Sequence, residues 1–278
     1  MKRDIQLEIT AKIVAKLETC GPWRRPWSGL LSGMPANAST GNAYKGVNVL
    51  VLCMTDYSRP LWATYKQWEA LGAQVRKGEK SEQIVKWAEK TQETNGTERK
   101  FLIPCAANVF NVAQVDGYEA QPLPREFDPH EKAEQVMTAT GARINYGGAK
   151  AFYAPAFDSV QLPERAAFKS ADGFYATAFH ELGHWTGHEK RCNRQFGKRF
   201  GDEAYAFEEL VAELSAAFLC AETGVNDEPR EDHASYVKSW VSKLKDDKTA
   251  IFTAASQASK AAEFIKAFSA PREERKAA

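Results

Sequence analysis

Phe174-Tyr175-Ala176-Thr177-Ala178-Phe179-His180-Glu181-Leu182-Gly183-His184 is the stretch that decides what the back half of this 278-residue chain is built around. Its composition is helical, and in a helix side chains four residues apart lie on one face, a turn from each other. The imidazoles of His180 and His184 can therefore converge on one tetrahedral ion, with Glu181 directed at the fourth, water-occupied position. A metal lowers the pKa of such a water toward ~7, and a neighbouring carboxylate takes its proton and can later pass it to a leaving group. The H-E-x-x-H pattern thus predicts a zinc-hydrolase site with His180 and His184 as ligands and Glu181 as general base. Gly187 is expected to end the helix and swing His188 aside.

A catalytic zinc takes a third protein ligand. Downstream, Glu208-Glu209-Leu210-Val211-Ala212-Glu213-Leu214 opens a helix whose other residues (Leu210, Val211, Leu214, Phe218, Leu219) are apolar and must pack inside. Glu209 and Glu213 are four apart and share a face. The segment resembles the E-x-x-A-D of gluzincin metallopeptidases related to the radiation-response regulator and phage immunity-repressor proteases, with Glu213 standing where that pattern has Asp. In that pattern the first acid is a ligand and the second hydrogen-bonds a ligand histidine and fixes its tautomer. The resemblance implies Glu209 as the third ligand and Glu213 behind it, with the reverse assignment left open. One Zn2+ is expected, for which Mn2+ or Co2+ could substitute on the same donors. Tyr153 and Tyr205 are candidates to stabilise an oxyanion. The stretch from Ala151 to Pro163 is a candidate edge on which an extended peptide could align.

The front half has a different character. Up to Arg125 the chain carries 17 Lys and Arg against 12 Asp and Glu, and beyond it 20 against 24, so a near-neutral total of 37 against 36 hides a basic front and an acidic back. Five of the seven tryptophans (Trp23, Trp27, Trp62, Trp68, Trp87) also lie in front. Single-stranded nucleic acid is held by cationic grooves with aromatic faces on which bases stack. Trp23-Arg24-Arg25-Pro26-Trp27 interleaves the two, and Tyr44-Lys45, Lys66-Gln67-Trp68 and Arg76-Lys77 add to them, so these residues are the candidate contacts to a single strand.

Ile5, Ile9, Ile13 and Leu17 predict an amphipathic first helix; residues 47–54 fit strand or buried helix. A short helix around Tyr65 to Leu71 is followed by strands at Val75, Ile84 to Trp87, Phe101 to Ile103 and, separately, Asn108 to Val112, with Asn95-Gly96 a turn between two of them. The front half therefore reads as α+β with an antiparallel meander. The Pro-rich, charged run Pro122 to Pro129 marks the expected boundary, giving domains 1–125 and 126–278. Behind it a helix from His130 to Thr140, short strands at 151–153 and 158–160, and helices over 172–187, 203–222, 232–246 and 249–268 make the second domain mainly helical, with a frayed tail from Pro271.

Five scattered cysteines with no C-x-x-C pair argue against a disulfide framework or a thiolate zinc finger. No secretory leader is recognisable and no apolar run approaches the ~18 residues of a membrane span, so a cytoplasmic protein without a membrane partner is expected. No acidic cluster suits the two magnesium ions of a priming or nuclease site.

At full length the chain resembles the ArdC antirestriction proteins of conjugative plasmids. The front carries Pro26-Trp27, Pro35-Ala36-Asn37, Thr40 to Asn48, Trp62 to Trp68, Leu71 to Glu79 and Asn108 to Asn111 of their single-strand-DNA-binding domain, which is shared with plasmid TraC primases. The back carries Tyr153, Asp158, Leu162-Pro163, His180 to Gly187 and Glu209 to Phe218 of their zincin-like metallopeptidase domain. The resemblance implies a protein that binds single-stranded DNA and protects incoming DNA from host restriction endonucleases. Cleavage of a host protein, or a zinc site retained only for folding, are the alternatives it leaves for the metal.

Overall fold

The computed structural model describes residues 4–19, 33–55, 57, 59–94, 97–119, 129–194, 203–226 and 233–269. The four-residue spacing of Ile5, Ile9, Ile13 and Leu17 is realised as helix α1 (Ile5–Thr19), which buries that stripe. Its cover comes from the far end of the chain, because α1 packs on α7 (His233–Asp246). Thr10 Oγ1 donates to the Lys248 carbonyl (2.7 Å) and Lys245 pairs with Glu18 (2.6 Å). The ambiguous stretch after Gly46 is helix α2 (Val47–Cys53). Val47 and Val49 to Cys53 are all buried, and a helix covered on nearly every side has no polar stripe to betray its period.

After strand β2 (Leu61–Ala63), helix α3 (Tyr65–Ala70) starts at a capping box in which the Thr64 hydroxyl accepts from the Gln67 N–H while Gln67 Oε1 accepts from the Thr64 N–H. Gly72, at φ +76°, turns the chain out of it. Strands β4 (Glu82–Thr94) and β5 (Thr97–Asn111) form one long antiparallel hairpin, whose Asn95-Gly96 turn lies outside the described residues. The separate strand expected at 108–112 is the end of β5. The break comes at Asn111, whose side chain caps the short helical turn Val112–Gln114. The main sheet has the order β1-β2-β5-β4, with β1 (Ala36–Asn37) parallel to β2, so it is not a simple meander. A further pair, β3 (Gln74–Val75) with β6 (Val115–Asp116), closes the front half.

Beyond α4 (Pro129–Ala139), a second sheet of order β7-β9-β8 is made by β7 (Arg143–Tyr146), β8 (Phe152–Ala154) and β9 (Ser159–Leu162). Strand β7 is absent from the sequence reading: it is mostly exposed, so no buried alternation marks it. Helices α5 (Ala171–Thr186), α6 (Glu203–Thr223), α7 and α8 (Ala250–Ala267) follow near their expected places. The chain is mixed α and β, with helices dominating the back. One hydrophobic core runs from α1 and α2 through α4, α5, α6 and α8.

Ile13, fully buried in that core, should be as costly to truncate as any residue of the back half. Ile13→Ala is expected to lower unfolding stability by about 2–5 kcal/mol. In urea unfolding of the full chain followed by far-UV dichroism, the front and back halves should then melt together; a variant whose C-terminal helices keep the wild-type midpoint would contradict the shared core.

Candidate metal centre

Helix α5 begins at Ser170, whose hydroxyl accepts from the Gly173 N–H (2.9 Å), and ends at Gly187. It is enclosed almost completely, with Phe174, Phe179 and Leu182 in the core beside His180 and Glu181. Gly183 faces α6 so closely that a Cβ there would lie 3.1 Å from Ala212 Cα and 3.2 Å from its carbonyl oxygen. A side chain there would force the helices apart by a few tenths of an ångström, and the close approach brings the acids of α6 up to the histidines of α5.

The geometry that results is specific. The two Nε2 atoms of His180 and His184 stand 3.1 Å apart, and the Glu209 carboxylate bridges toward both, at 3.4 Å from His180 and 3.5 Å from His184. Behind each ring is another carboxylate. His180 Nδ1–H donates to Glu213 (3.1 Å) and His184 Nδ1–H donates to Glu208 (3.2 Å). With both Nδ1 hydrogens so committed, two Nε2 lone pairs face each other, an arrangement that calls for a cation or a proton between them. Ligand atoms about 2.0–2.1 Å from a tetrahedral ion are about 3.3 Å apart, close to the spacings found here. His180, His184 and Glu209 can therefore hold one divalent ion, and among the described residues they form the one group of metal-ligand type.

Glu208 was not singled out by sequence reasoning, nor was the residue that holds it. Arg194, itself buried, grips both Glu208 oxygens (2.9 and 2.7 Å). It also donates to the Thr186 hydroxyl and the Gly183 carbonyl (both 2.7 Å). The guanidinium thus clamps the end of α5 to the start of α6. The available signal was modest: each ligand histidine needs an acceptor behind it, and Glu208 adjoins a ligand candidate.

Charge within the cluster is strongly coupled. Burial opposes a proton on His184, but its hydrogen bonds to Glu208 and Glu209 outweigh this and push its pKa up to about 10. Burial likewise opposes ionisation of Glu209, yet the two histidines hold its carboxyl far below the usual range.

Other candidates lie elsewhere. Tyr153 donates a hydroxyl hydrogen bond to Asp158 (2.8 Å), which Arg191 also binds, so that hydrogen is already committed within the protein. His188 lies past the helix end, its Nδ1 accepting from the Lys190 N–H. Tyr205 is half-buried on α6. Of the proposed nucleic-acid contacts, Trp23, Arg24, Arg25 and Trp27 fall outside the described residues. Trp68 is a correction: it is fully buried and donates its indole N–H to the Phe110 carbonyl (3.0 Å), so it has no face for a base. Trp62 is buried too. Lys66 and Lys77 are exposed, Tyr44 is half-buried, Lys45 pairs with Glu263, and Arg76 is exposed but bound to Glu79 and Asp116.

A buried H-E-x-x-H helix crossed by a glutamate-bearing helix defines the class, a zincin-like metallopeptidase domain. Residues 131–257 match the zincin-like metallopeptidase family model, and residues 3–112 match the N-terminal domain of anti-restriction factor ArdC. The crystal structure of the metal-free antirestriction ArdC protein from the R388 plasmid superposes with a TM-score of 0.81 at 39% identity, over 96% of this chain and 98% of that one. Its Mn(II)-bound form gives the same TM-score at 37% identity. The protein y4eC of Sinorhizobium fredii (strain NBRC 101917 / NGR234) is 39% identical over 95% of this chain and 92% of its own length. DNA primase TraC of Escherichia coli is 38% identical over 96% of this chain, which spans only 27% of that relative. The chain belongs to the ArdC antirestriction family.

Two outcomes follow. Glu208→Gln should weaken metal binding about 10–100-fold, as loss of a carboxylate behind a ligand histidine commonly does, read by chelator competition. Wild-type affinity would mean that Glu208 serves packing alone. The second outcome concerns pH. Because the folded, metal-free pKa of His184 is raised, its proton stabilises the fold fully below the unfolded value near 6.5 and is lost as pH rises through about 10. Metal must displace that proton, so apparent affinity should fall about tenfold per pH unit between 8 and 7. Calorimetry in buffers of different ionisation enthalpy should register about one proton released.

Proposed function

We propose that this chain binds single-stranded DNA in the cytoplasm and protects incoming plasmid DNA from host restriction endonucleases, and that its metal centre is a zinc site of metallopeptidase type. The observation that carries the second part is the donor set, in which one ligand atom each of His180, His184 and Glu209 come together, with Glu181 buried on the helix of the two histidines. His180 and His184 through Nε2, and Glu209 through its carboxylate, would hold the ion, with Glu213 and Glu208 keeping the rings in the required tautomer. Zinc, when bound, supplies Lewis acidity and lowers the pKa of a water toward ~7. Glu181 would serve as the general base, holding a proton taken from a water and passing it to a leaving group. A host protein, the restriction endonuclease among the candidates, is the substrate class such a site would serve.

The single-strand part is supported by the basic surplus of the front half and by the exposed cations Lys45, Lys66 and Lys77. Conjugation, which delivers one strand, supplies a reason for that preference. A second reading makes the metal a staple for α5 and α6, since metal binding free energy can be folding free energy. Glu181 favours the hydrolytic reading, because a staple needs no buried carboxylate in that position.

The full chain should bind an oligo-dT strand with log affinity falling linearly in log salt, at about 0.7 per phosphate neutralised. Absent or salt-indifferent binding removes the single-strand part. Glu181→Gln should keep metal and DNA but lose about 100-fold or more in cleavage of a quenched fluorescent peptide library. If Glu181→Gln matches the wild type in cleavage and in a restriction assay in cells while His180→Ala unfolds, the metal is a staple.

A further inference from the structure

Away from the metal centre, a groove of about 570 Å3 opens where the front half meets α8, with Tyr44, Lys45, Trp87, Phe252, Ser256 and Lys260 on its walls. That volume is within the range of small-ligand pockets, roughly 300–1,000 Å3. Its three walls are pinned to each other. The Asn48 side chain exchanges two hydrogen bonds with the Val85 backbone, donating to its carbonyl and accepting from its N–H (both 2.8 Å). The amide acts as a neighbouring strand would, and it fixes the register of β4 two residues before Trp87. Gly46, at φ +59°, donates its N–H to the Ser259 hydroxyl of α8 (3.0 Å), and Lys45 pairs with Glu263 one turn further on (2.5 Å). A groove held this way needs little ordering on binding.

What the pinning leaves over identifies the occupant. Asn48, Ser259 and Glu263 have polar groups engaged with the protein itself, so they are poorly placed to read base edges. The indole of Trp87 is 48% exposed on a strand, beside the half-buried ring of Tyr44. Lys260 is exposed and has no ion-pair partner among the described residues. Aromatic faces plus cations, with little hydrogen-bond reading, suit a single strand bound without sequence preference.

We infer that this groove is a nucleotide subsite in which a base stacks on Trp87 and an adjacent phosphate lies against Lys260, so that a single strand is held by both halves of the molecule. The inference rests on the single-strand reading above and extends it to a helix of the zincin-like half. Neither Trp87 nor Lys260 stood among the sequence-nominated contacts.

The test uses the full chain with fluorescein-labelled oligo-dT and anisotropy at several salt concentrations. Trp87→Ala should weaken binding roughly tenfold and Trp87→Phe should restore most of it, since a ring of either kind stacks. Lys260→Gln should weaken binding and reduce the salt slope by about 0.7, the share of one phosphate. Lys150→Gln, an exposed lysine outside the groove, should change neither affinity nor slope by as much. A strand carrying 5-bromodeoxyuridine should photocross-link to peptides of β4 and α8. Wild-type affinity in Trp87→Ala and Lys260→Gln, or cross-links only elsewhere, overturns the subsite while leaving single-strand binding intact. Failure of the wild type to bind removes the parent reading as well.

Discussion

The close crossing of α5 and α6 at Gly183 and Ala212 is the contact on which the rest of the site depends. With no side chain at Gly183, the helices approach until backbone meets backbone, and three acids of one helix reach two histidines of the other. The crossing also concentrates charge. Glu181, Glu208, Glu209 and Glu213 are all buried, and the buried guanidinium that accompanies them belongs to Arg194. Unpaired buried charge is costly, so such a cluster is stable only when a proton or a cation offsets its carboxylates. The raised pKa of His184 and the depressed pKa of Glu209 are the proton-loaded solution to that imbalance, and a divalent ion is the other.

How much of this could be read in advance depended on whether the information was local. H-E-x-x-H is local: spacing alone places His180 and His184 on one face, and α5 has both rings there. Glu209 is not local, and only a family pattern nominated it, because helical spacing says that Glu209 and Glu213 share a face but not which meets a metal. Arg194 was illegible. It sits after α5 in a turn without periodicity, and its value comes from four hydrogen bonds to groups on two helices that no sequence window contains together. The α2 helix was illegible for the opposite reason, since burial all round erased the alternation that separates helix from strand.

Tryptophan content shows where compositional reasoning misleads. Trp62 and Trp68 fill the core, as large aromatics in a small sheet domain must, while Trp87 is exposed. Alternation along Val85-Lys86-Trp87 puts Val85 and Trp87 on one face of β4 and predicts the same environment for both. Val85 is buried and Trp87 is not, because the hairpin of β4 and β5 runs on beyond the helices that cover its base. A strand that outruns its cover exposes an aromatic that pattern alone would bury.

The division into an ArdC N-terminal half and a zincin-like half is a division of family, not of packing. The stripe of α1 is covered by α7, the residues of α2 lie in the same core as those of α5 and α6, and α8 touches α2 as well as both helices of the candidate metal centre. Neither half has a complete hydrophobic cover alone, so a chain that kept one and discarded the other would expose a core face. The TraC relative agrees with this constraint: its 27% segment matches 96% of the present chain, front and back together, inside a much longer protein. A strand lying against α8 and an ion lying between α5 and α6 would accordingly share one wall, because α8 packs on both of those helices.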